Sequence, residues 1–381
     1  MKKTLIAFAA LSAIAGVAQA QSTVTLYGLV DANVQSYKTN IVGTAANGLV
    51  PAGTIQNFRQ TRIESGGLNG SRWGMRIKED LGGGLSAVAN LESGLALDTG
   101  ASAQGGLLFG RRANVGVSSA SFGTITIGRN SSSYDDVSAD NAMMGQSIFD
   151  PSQTNNGPTN LALVTGTGAP TPAAFGLLAR NTAWLGFNTR FNNSVKYTSP
   201  NFSGFSGSLM YAHGEDRTPT VDASRTVSAN LKYANGPLLI SGGYQTEGAT
   251  RTGGLEPALQ NTLLSVAYDF GVVKVGAGFN RAKLDEVVAG ASIDAQKEWN
   301  LSVAVPLGAT TLSAGYAQSK GDTLGRSRGF GIQALYALSK RSTLYAGAQS
   351  TKNYERLATF APAGSNVGKT ETYGLGLRHT F

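Results

Sequence analysis

Two histidines, His213 and His379, and no cysteine are all that this 381-residue chain offers to conventional metal or thiol chemistry. Neither histidine has a second histidine or a carboxylate at ligand spacing, so no metal set is read, and thiolate sites and disulfides are excluded. Gly204-Phe205-Ser206-Gly207-Ser208 misses the spacing of a nucleophile elbow by one residue and falls at a strand reversal. Gly82-Gly83-Gly84 leads into an alternating segment and not a helix, which argues against a phosphate cradle. No cofactor and no enzyme chemistry is therefore expected. What does recur is charge at two-residue spacing: Arg72, Arg76 and Lys78 in one stretch, and Asp31, Glu92, Lys196, Lys232, Lys274, Glu298 and Arg378 in others. These residues are spread out and form no dense basic patch, which does not suit nucleic acid.

The segments that hold those charges alternate. Residues 71–78 set Trp73, Met75 and Ile77 against Arg72, Arg76 and Lys78, and residues 85–92 set Leu85, Ala87, Ala89 and Leu91 against Ser86, Asn90 and Glu92. Side chains alternate across a pleated backbone, so each reads as a strand with one apolar and one polar face. The same pattern marks residues 22–37, 109–117, 124–128, 190–197, 205–212, 226–233, 238–245, 262–270, 272–280, 297–305, 311–317, 329–338, 343–349 and the C-terminal stretch, about sixteen strands in all. Residues 38–69 read as a polar, glycine-punctuated loop. Tight turns at 234–237, 269–271, 306–308 and 340–342 alternate with long polar loops, the layout of an outer-membrane barrel.

Composition agrees. Charged residues are 14% of the chain, against a usual ~25%, while glycine is abundant at 50 residues. An apolar outside around a wet inside fits this better than a large dry core. Residues 1–20 read as a cleaved signal peptide: Lys2-Lys3, an apolar run over 5–17, then Ala18-Gln19-Ala20. An N-terminal membrane anchor is the alternative, which the short run and small-x-small ending disfavour. Removing Lys2 and Lys3 takes the net charge from +8 to +6 over a domain of residues 21–381. No later stretch reaches the ~18 apolar residues of a membrane helix, so a spanning chain must span as strands.

At the C terminus Tyr373, Leu375, Leu377, His379 and Phe381 share the apolar parity. Alone in water such a strand is a sticky edge; pairing with the first strand would close a barrel and remove it. A soluble sandwich would also keep charges off its core. The aromatics favour lipid, because Tyr197, Tyr211, Tyr233, Tyr244, Tyr268, Trp299, Tyr316, Tyr336, Tyr373 and Phe381 fall on the apolar parity near strand ends, as in an interfacial girdle. Residues 130–189 break the rhythm. Far longer than a hairpin loop, they read as a surface loop or as a segment whose first part folds into the barrel.

The stretches STVTLYGLVD (22–31), SRWGMRIKEDLGGG (71–84), LFGRRANVGVS (108–118), SFGTITIGR (121–129), NNSVKYTSPNFSGF (192–205) and YGLGLRHTF (373–381) resemble the Gram-negative general porins of β-proteobacteria, across the whole mature chain. The resemblance implies an all-β, transmembrane antiparallel barrel of sixteen strands with its third loop folded inward as a constriction. It implies a homotrimer in the outer membrane, among lipid and lipopolysaccharide, passing small hydrophilic solutes. Tyr373 and Phe381 would carry the signal for the outer-membrane assembly machinery. Carried over by position, the constriction arginines are Arg72, Arg111 and Arg190, faced by Asp135, Asp136 and Asp140 of the loop, with Arg76, Lys78, Glu92, Lys196 and Arg378 as further lumen charges. Opposed charges across a narrow aqueous slot orient polar solutes and penalise apolar ones; the same arginines could brace the wall through ion pairs.

Two features depart from the family pattern. Arg111 and Arg112 are adjacent, so alternation sends one of them outward and leaves open which. An outward Arg112, with Asn114, would need burial against a neighbouring subunit. The loop after Tyr134 is longer than is usual and lacks the glycine-aromatic run. The expected function is a diffusion porin with weak anion preference. The competing class is an adhesin or structural barrel with a plugged lumen.

Overall fold

A computed structural model describes residues 22–42, 54–152, 182–219, 222–248, 258–288, 291–356 and 366–381. The expected signal peptide lies outside the described residues. Eighteen segments form one antiparallel sheet. In chain order they are β1 (Thr23–Val42), β2 (Ile55–Ser65), β3 (Arg72–Gly82), β4 (Leu85–Ala96), β5 (Ala101–Ser102), β6 (Arg112–Ser119), β7 (Gly123–Ser131), β8 (Arg190–Thr198) and β9 (Phe205–His213). Then come β10 (Arg225–Asn235), β11 (Leu238–Gly248), β12 (Ala258–Asp269), β13 (Lys274–Val288), β14 (Ala291–Leu307), β15 (Thr310–Gly321), β16 (Gly325–Ala337), β17 (Ser342–Lys352) and β18 (Asn366–Thr380). The two-residue β5 only bridges to β4.

The expected loop over 38–69 is corrected: it contains β2. This strand pairs with the upper half of β1, Ala32 to Val42, while β3 pairs with the lower half, Thr23 to Leu29. The two are one stave interrupted by residues 66–71, so the barrel has sixteen staves. The strand expected from residue 109 begins at Arg112. β2 escapes detection because Asn57, Arg59 and Thr61 hold outward positions close to the rim, where a polar residue costs little.

Closure is direct. β1 pairs with β18 from Leu29–Thr380 upward, and beyond the last rung the Gly28 and Phe381 backbones exchange two hydrogen bonds, of 3.1 and 3.0 Å. Gly28 has no β-carbon because the Phe381 ring lies where one would be. From Phe381 to Tyr373 the outward parity covers eight residues, about 20 Å at ~3.4 Å per residue and ~40° tilt, close to the ~25 Å apolar band of such barrels. Leu26, Ile63, Leu231, Leu264 and Leu375 are among its most exposed side chains. In water this would be an aggregation surface; against hydrocarbon it is the correct solvent.

The interruption at 66–71 is pinned by Asp31, which is fully buried. Its carboxylate accepts the backbone N–H groups of Gly67 (3.1 Å), Leu68 (2.8 Å) and Asn69 (2.9 Å), and the Tyr345 hydroxyl. Asp31→Ala leaves those three donors, two of them buried, without an acceptor, at a cost on the order of 3 kcal/mol. The temperature at which the folded band converts to the unfolded one in gel electrophoresis should fall clearly; an unchanged temperature would mean that the bend holds itself.

The dry core lies inside the barrel and not between sheets. Residues 132–152 and 182–189 run along the inner face. One cluster joins Tyr134, Val137, Ala183, Trp184, Phe187, Leu263 and Ala317, and a second joins Leu68, Met144, Phe149 and Tyr345. Residues 153–181 of the long connection lie outside the described residues.

Candidate lumen site

The inner wall is built by the polar parity of the strands. Between strands this parity aligns in rows, because cross-strand partners share a face. Arg72 and Arg76 on β3 and Glu92 on β4 all point inward. Arg111 precedes β6, where its backbone N–H donates to the Glu92 carbonyl at 3.1 Å. That position turns its side chain inward: its Nε lies 2.6 Å from Glu92 Oε1, and Arg72 Nε lies 3.8 Å from Glu92 Oε2. Tyr27 donates to the same carboxylate at 2.9 Å, and the Arg76 guanidinium stacks over the Tyr27 ring at 4.0 Å. One wall carboxylate thus organises two arginines and a tyrosine. Arg190, at the start of β8, feels Arg111, Asp135, Glu92 and Arg129 as its charged neighbours and donates to Thr189 at 2.9 Å. The three arginines therefore gather on one side of the lumen.

The expectation that one of Arg111 and Arg112 must point outward is overturned, since Arg112 and Asn114 also face the lumen. Asn114 Nδ2 donates to Asn130 Oδ1 at 2.9 Å, and Arg112 reaches Ser131 at 3.4 Å. Both line the same inner cavity of about 650 Å³ as Arg76, Lys78 and Lys196. The outward positions of β6 are held by Val115 and Val117. Arg111 and Arg112 can both face inward because Arg111 belongs to the bend before the strand, where alternation does not yet apply.

Residues 132–152 cross the opposite inner wall. Tyr134 N–H donates to Ser228 Oγ (2.8 Å), Asn141 to Asn300 (2.7 Å), Met143 N–H to Ser302 Oγ (2.9 Å) and Ser147 to Gln333 (2.7 Å). Ile148 N–H then donates to the Gly67 carbonyl at 2.8 Å, so the segment ends on the bend that Asp31 pins. The seat is made of inward glycines. A β-carbon on Gly276 or Gly278 would strike Asn141, one on Gly315 would meet Met144, and one on Gly331 or Gly347 would strike Phe149.

The three loop aspartates separate. Asp136 pairs with Lys196 at 2.6 Å and accepts from Ser208 at 3.2 Å, while Asp140 pairs with Lys232 at 2.9 Å. Asp135 has Arg190, Lys196 and Arg111 within electrostatic range. Burial, with Asp136 adding to it and those three cations opposing, pushes its carboxyl up to about 6. Arg378 lies apart from this group, donating to Asn69 at 2.7 Å and Thr343 at 3.4 Å. Lys232 and Tyr27 were not singled out as site residues by sequence reasoning. Lys232 was visible as a polar-parity charge, but its role depends on where the loop falls.

Comparison with known proteins follows from this geometry. A sequence model of the Gram-negative porin family matches residues 7–356. An outer membrane porin of Bordetella pertussis is 30% identical over the full length of both chains, and outer membrane porin protein 32 of Delftia acidovorans is 31% identical, again over all of both. Among solved structures, an anion-selective porin from Comamonas acidovorans aligns with a TM-score of 0.72 at 27% identity, covering 95% of this chain and 100% of that one.

Proposed function

The chain belongs to the Gram-negative porin family and is an outer-membrane channel for passive diffusion; from that premise we propose that its selectivity is set where the loop aspartates approach the arginines. Residues 132–152 narrow the lumen against one wall, and Arg72, Arg111 and Arg190 hold the other. The observation that carries this is the pairing of Arg72 and Arg111 with the single carboxylate of Glu92, with Arg190 in electrostatic range of Arg111, Asp135 and Glu92. Two of the three loop aspartates are already paired with Lys196 and Lys232, so the slot keeps a net positive charge. An ion's path through it favours anions, in line with what the Comamonas porin is called. Solutes cross by electrodiffusion, with no catalytic step.

The chain acts as a homotrimer. An outward concavity of about 660 Å³, walled by Ala89, Leu91, Ala113, Val115, Ile127 and Val195, gives a neighbouring copy an apolar surface to close against. Outside the trimer the barrel meets lipid and lipopolysaccharide, and its terminal Tyr373 and Phe381 face outward on the strand that the assembly machinery would read.

Planar-bilayer recording tests the whole reading. Large ohmic steps with anion preference are expected, and silence would leave a plugged anchor. Acid sharpens the test. Asp135 loses its charge as pH falls through about 6, so the slot becomes more positive and anion preference rises between pH 7 and pH 5. Asp135→Asn should hold the acid value throughout that window. A wild-type reversal potential that stays flat from pH 7 to pH 5 would remove Asp135 from the ion path.

A further inference from the structure

Residues 66–71 leave the sheet between β2 and β3 and project into the barrel, where they meet both sides of the pore. On one side lies the loop. Ile148 N–H donates to the Gly67 carbonyl at 2.8 Å, and Leu68 packs with Met144, Phe149 and Tyr345. On the other side lie guanidinium groups. Arg72 Nη1 donates to the Gly70 carbonyl at 3.2 Å, Arg378 Nη1 donates to Asn69 Oδ1 at 2.7 Å, and Arg111 Nη1 is the atom a β-carbon on Gly70 would meet. Asp31 holds both ends of this bend as well as its middle. Its carbonyl accepts from Gly66 N–H (2.8 Å) and Ser71 Oγ (3.0 Å), where the chain leaves and rejoins the sheet. Its carboxylate takes the N–H groups between them, those of Gly67, Leu68 and Asn69. Tyr345 on β17 ties this anchor to the loop. Its hydroxyl donates to Asp31, its phenol lies where β-carbons on Gly67 and Gly376 would be, and its ring makes an edge contact with Phe149 at 6.4 Å between centroids. Asp31 is fully buried, so no solute reaches it.

We propose that Asp31 and Tyr345 are positioning residues of the pore. Acting through the bend, they hold the loop and the arginine wall at a fixed separation, and so set pore width and ion preference together. The part on ion preference rests on the reading that Arg72 and Arg111 govern selectivity; the part on width does not. Width follows because the loop ends on the Gly67 carbonyl and on Leu68, which stay in place only while the bend does. For ion preference, charge and position pull in opposite directions. Losing a carboxylate by itself makes the lumen more positive and raises anion preference. Releasing the bend takes Arg72 and Arg378 off their supports and lets ions pass farther from the cations, which lowers it. The sign of the shift tells the two apart.

The test uses the folded mature chain in planar bilayers, with single-channel conductance and reversal potential read on one preparation. Asp31→Asn keeps the shape of the side chain but replaces an acceptor oxygen by a donor, so the bend loses part of its anchor. Conductance should rise by about a quarter or more, since current follows the open cross-section. The anion-to-cation permeability ratio should fall about two-fold. Tyr345→Phe, which changes no charge, should move both readings the same way by less. The double variant should show less than the sum of the single shifts, because both residues act on one bend. Gly204→Ala is the control for a loosened barrel: at its φ of +98° a β-carbon is strained and would strike the Ala234 carbonyl, on the rim beside β9. It should leave both readings at wild type. A rise in anion preference in Asp31→Asn, wild-type conductance in both variants, or an equal shift in Gly204→Ala would each overturn the proposal. If Asp31→Asn fails to fold, Tyr345→Phe decides, because it retains the ring and its packing. A wild type without anion preference would end the selectivity reading, and conductance alone would then decide the positioning.

Discussion

Changing Arg72, Arg111 and Arg190 together to glutamine should move the reversal potential in a salt gradient toward the cation side. Each guanidinium about 8 Å from an ion's path contributes ~0.5 kcal/mol in a water-like medium, with opposite sign for anion and cation. Three of them, partly screened at ~0.1 M salt, are worth about ten-fold in the ratio of anion to cation permeability. The change also leaves Glu92 without its two arginine partners, which adds a negative charge to the slot. Because Tyr27 still donates to Glu92, and Asp31 and the Phe381 closure are untouched, the barrel should keep its folded migration. A reversal potential unchanged by the triple substitution would remove these arginines from the ion path. Arg111→Gln alone should give the largest single shift, since its guanidinium makes the shortest contact with Glu92.

Gly331→Val should widen the channel. A β-carbon at this position would fall on the Phe149 carbonyl oxygen, and Phe149 also fills the space against Gly347. Forcing carbon into a packed site costs ~1–3 kcal/mol, and here the loop is the part that can give. Its holds near Phe149 are the Leu68, Met144 and Tyr345 cluster, the Ser147 bond to Gln333 and the Ile148 bond to Gly67. Moving Phe149 strains all of them together. Single-channel conductance should then rise by roughly half or more, because it follows the open cross-section, and anion preference should fall because ions in a wider slot pass farther from the arginines. The neighbouring outward residue is the control: Ile332→Leu should leave conductance as it was. Unchanged conductance in a folded Gly331→Val barrel would mean that residues 132–152 do not limit the pore.

Both predictions join residues whose faces could be read from sequence to partners that could not. Alternation is a local property of one strand, so the wet placement of Arg72, Arg76, Lys78, Glu92, Lys196 and Arg378 followed from parity alone. The sixteen staves and the β1–β18 closure followed as well, since an apolar last strand needs a partner. Parity failed where the backbone is not yet a strand. Arg111 lies in the bend before β6, so it and Arg112 both reach the lumen. It failed again at residues 66–71, where one stave breaks inward around Asp31.

What the sequence determined by itself, then, was a wall: which side chains meet lipid and which meet water. The tertiary structure alone decided what stands opposite what. Gly278 and Gly331 are merely small residues on a polar face until Asn141 and Phe149 arrive from 137 and 182 positions away. Lys320 and Arg326 are ordinary rim charges until the register of β15 and β16 sets them against each other. Such pairings depend on register and on the path of a long connection. Both are fixed by the sum of contacts over many strands, and no single segment carries that sum.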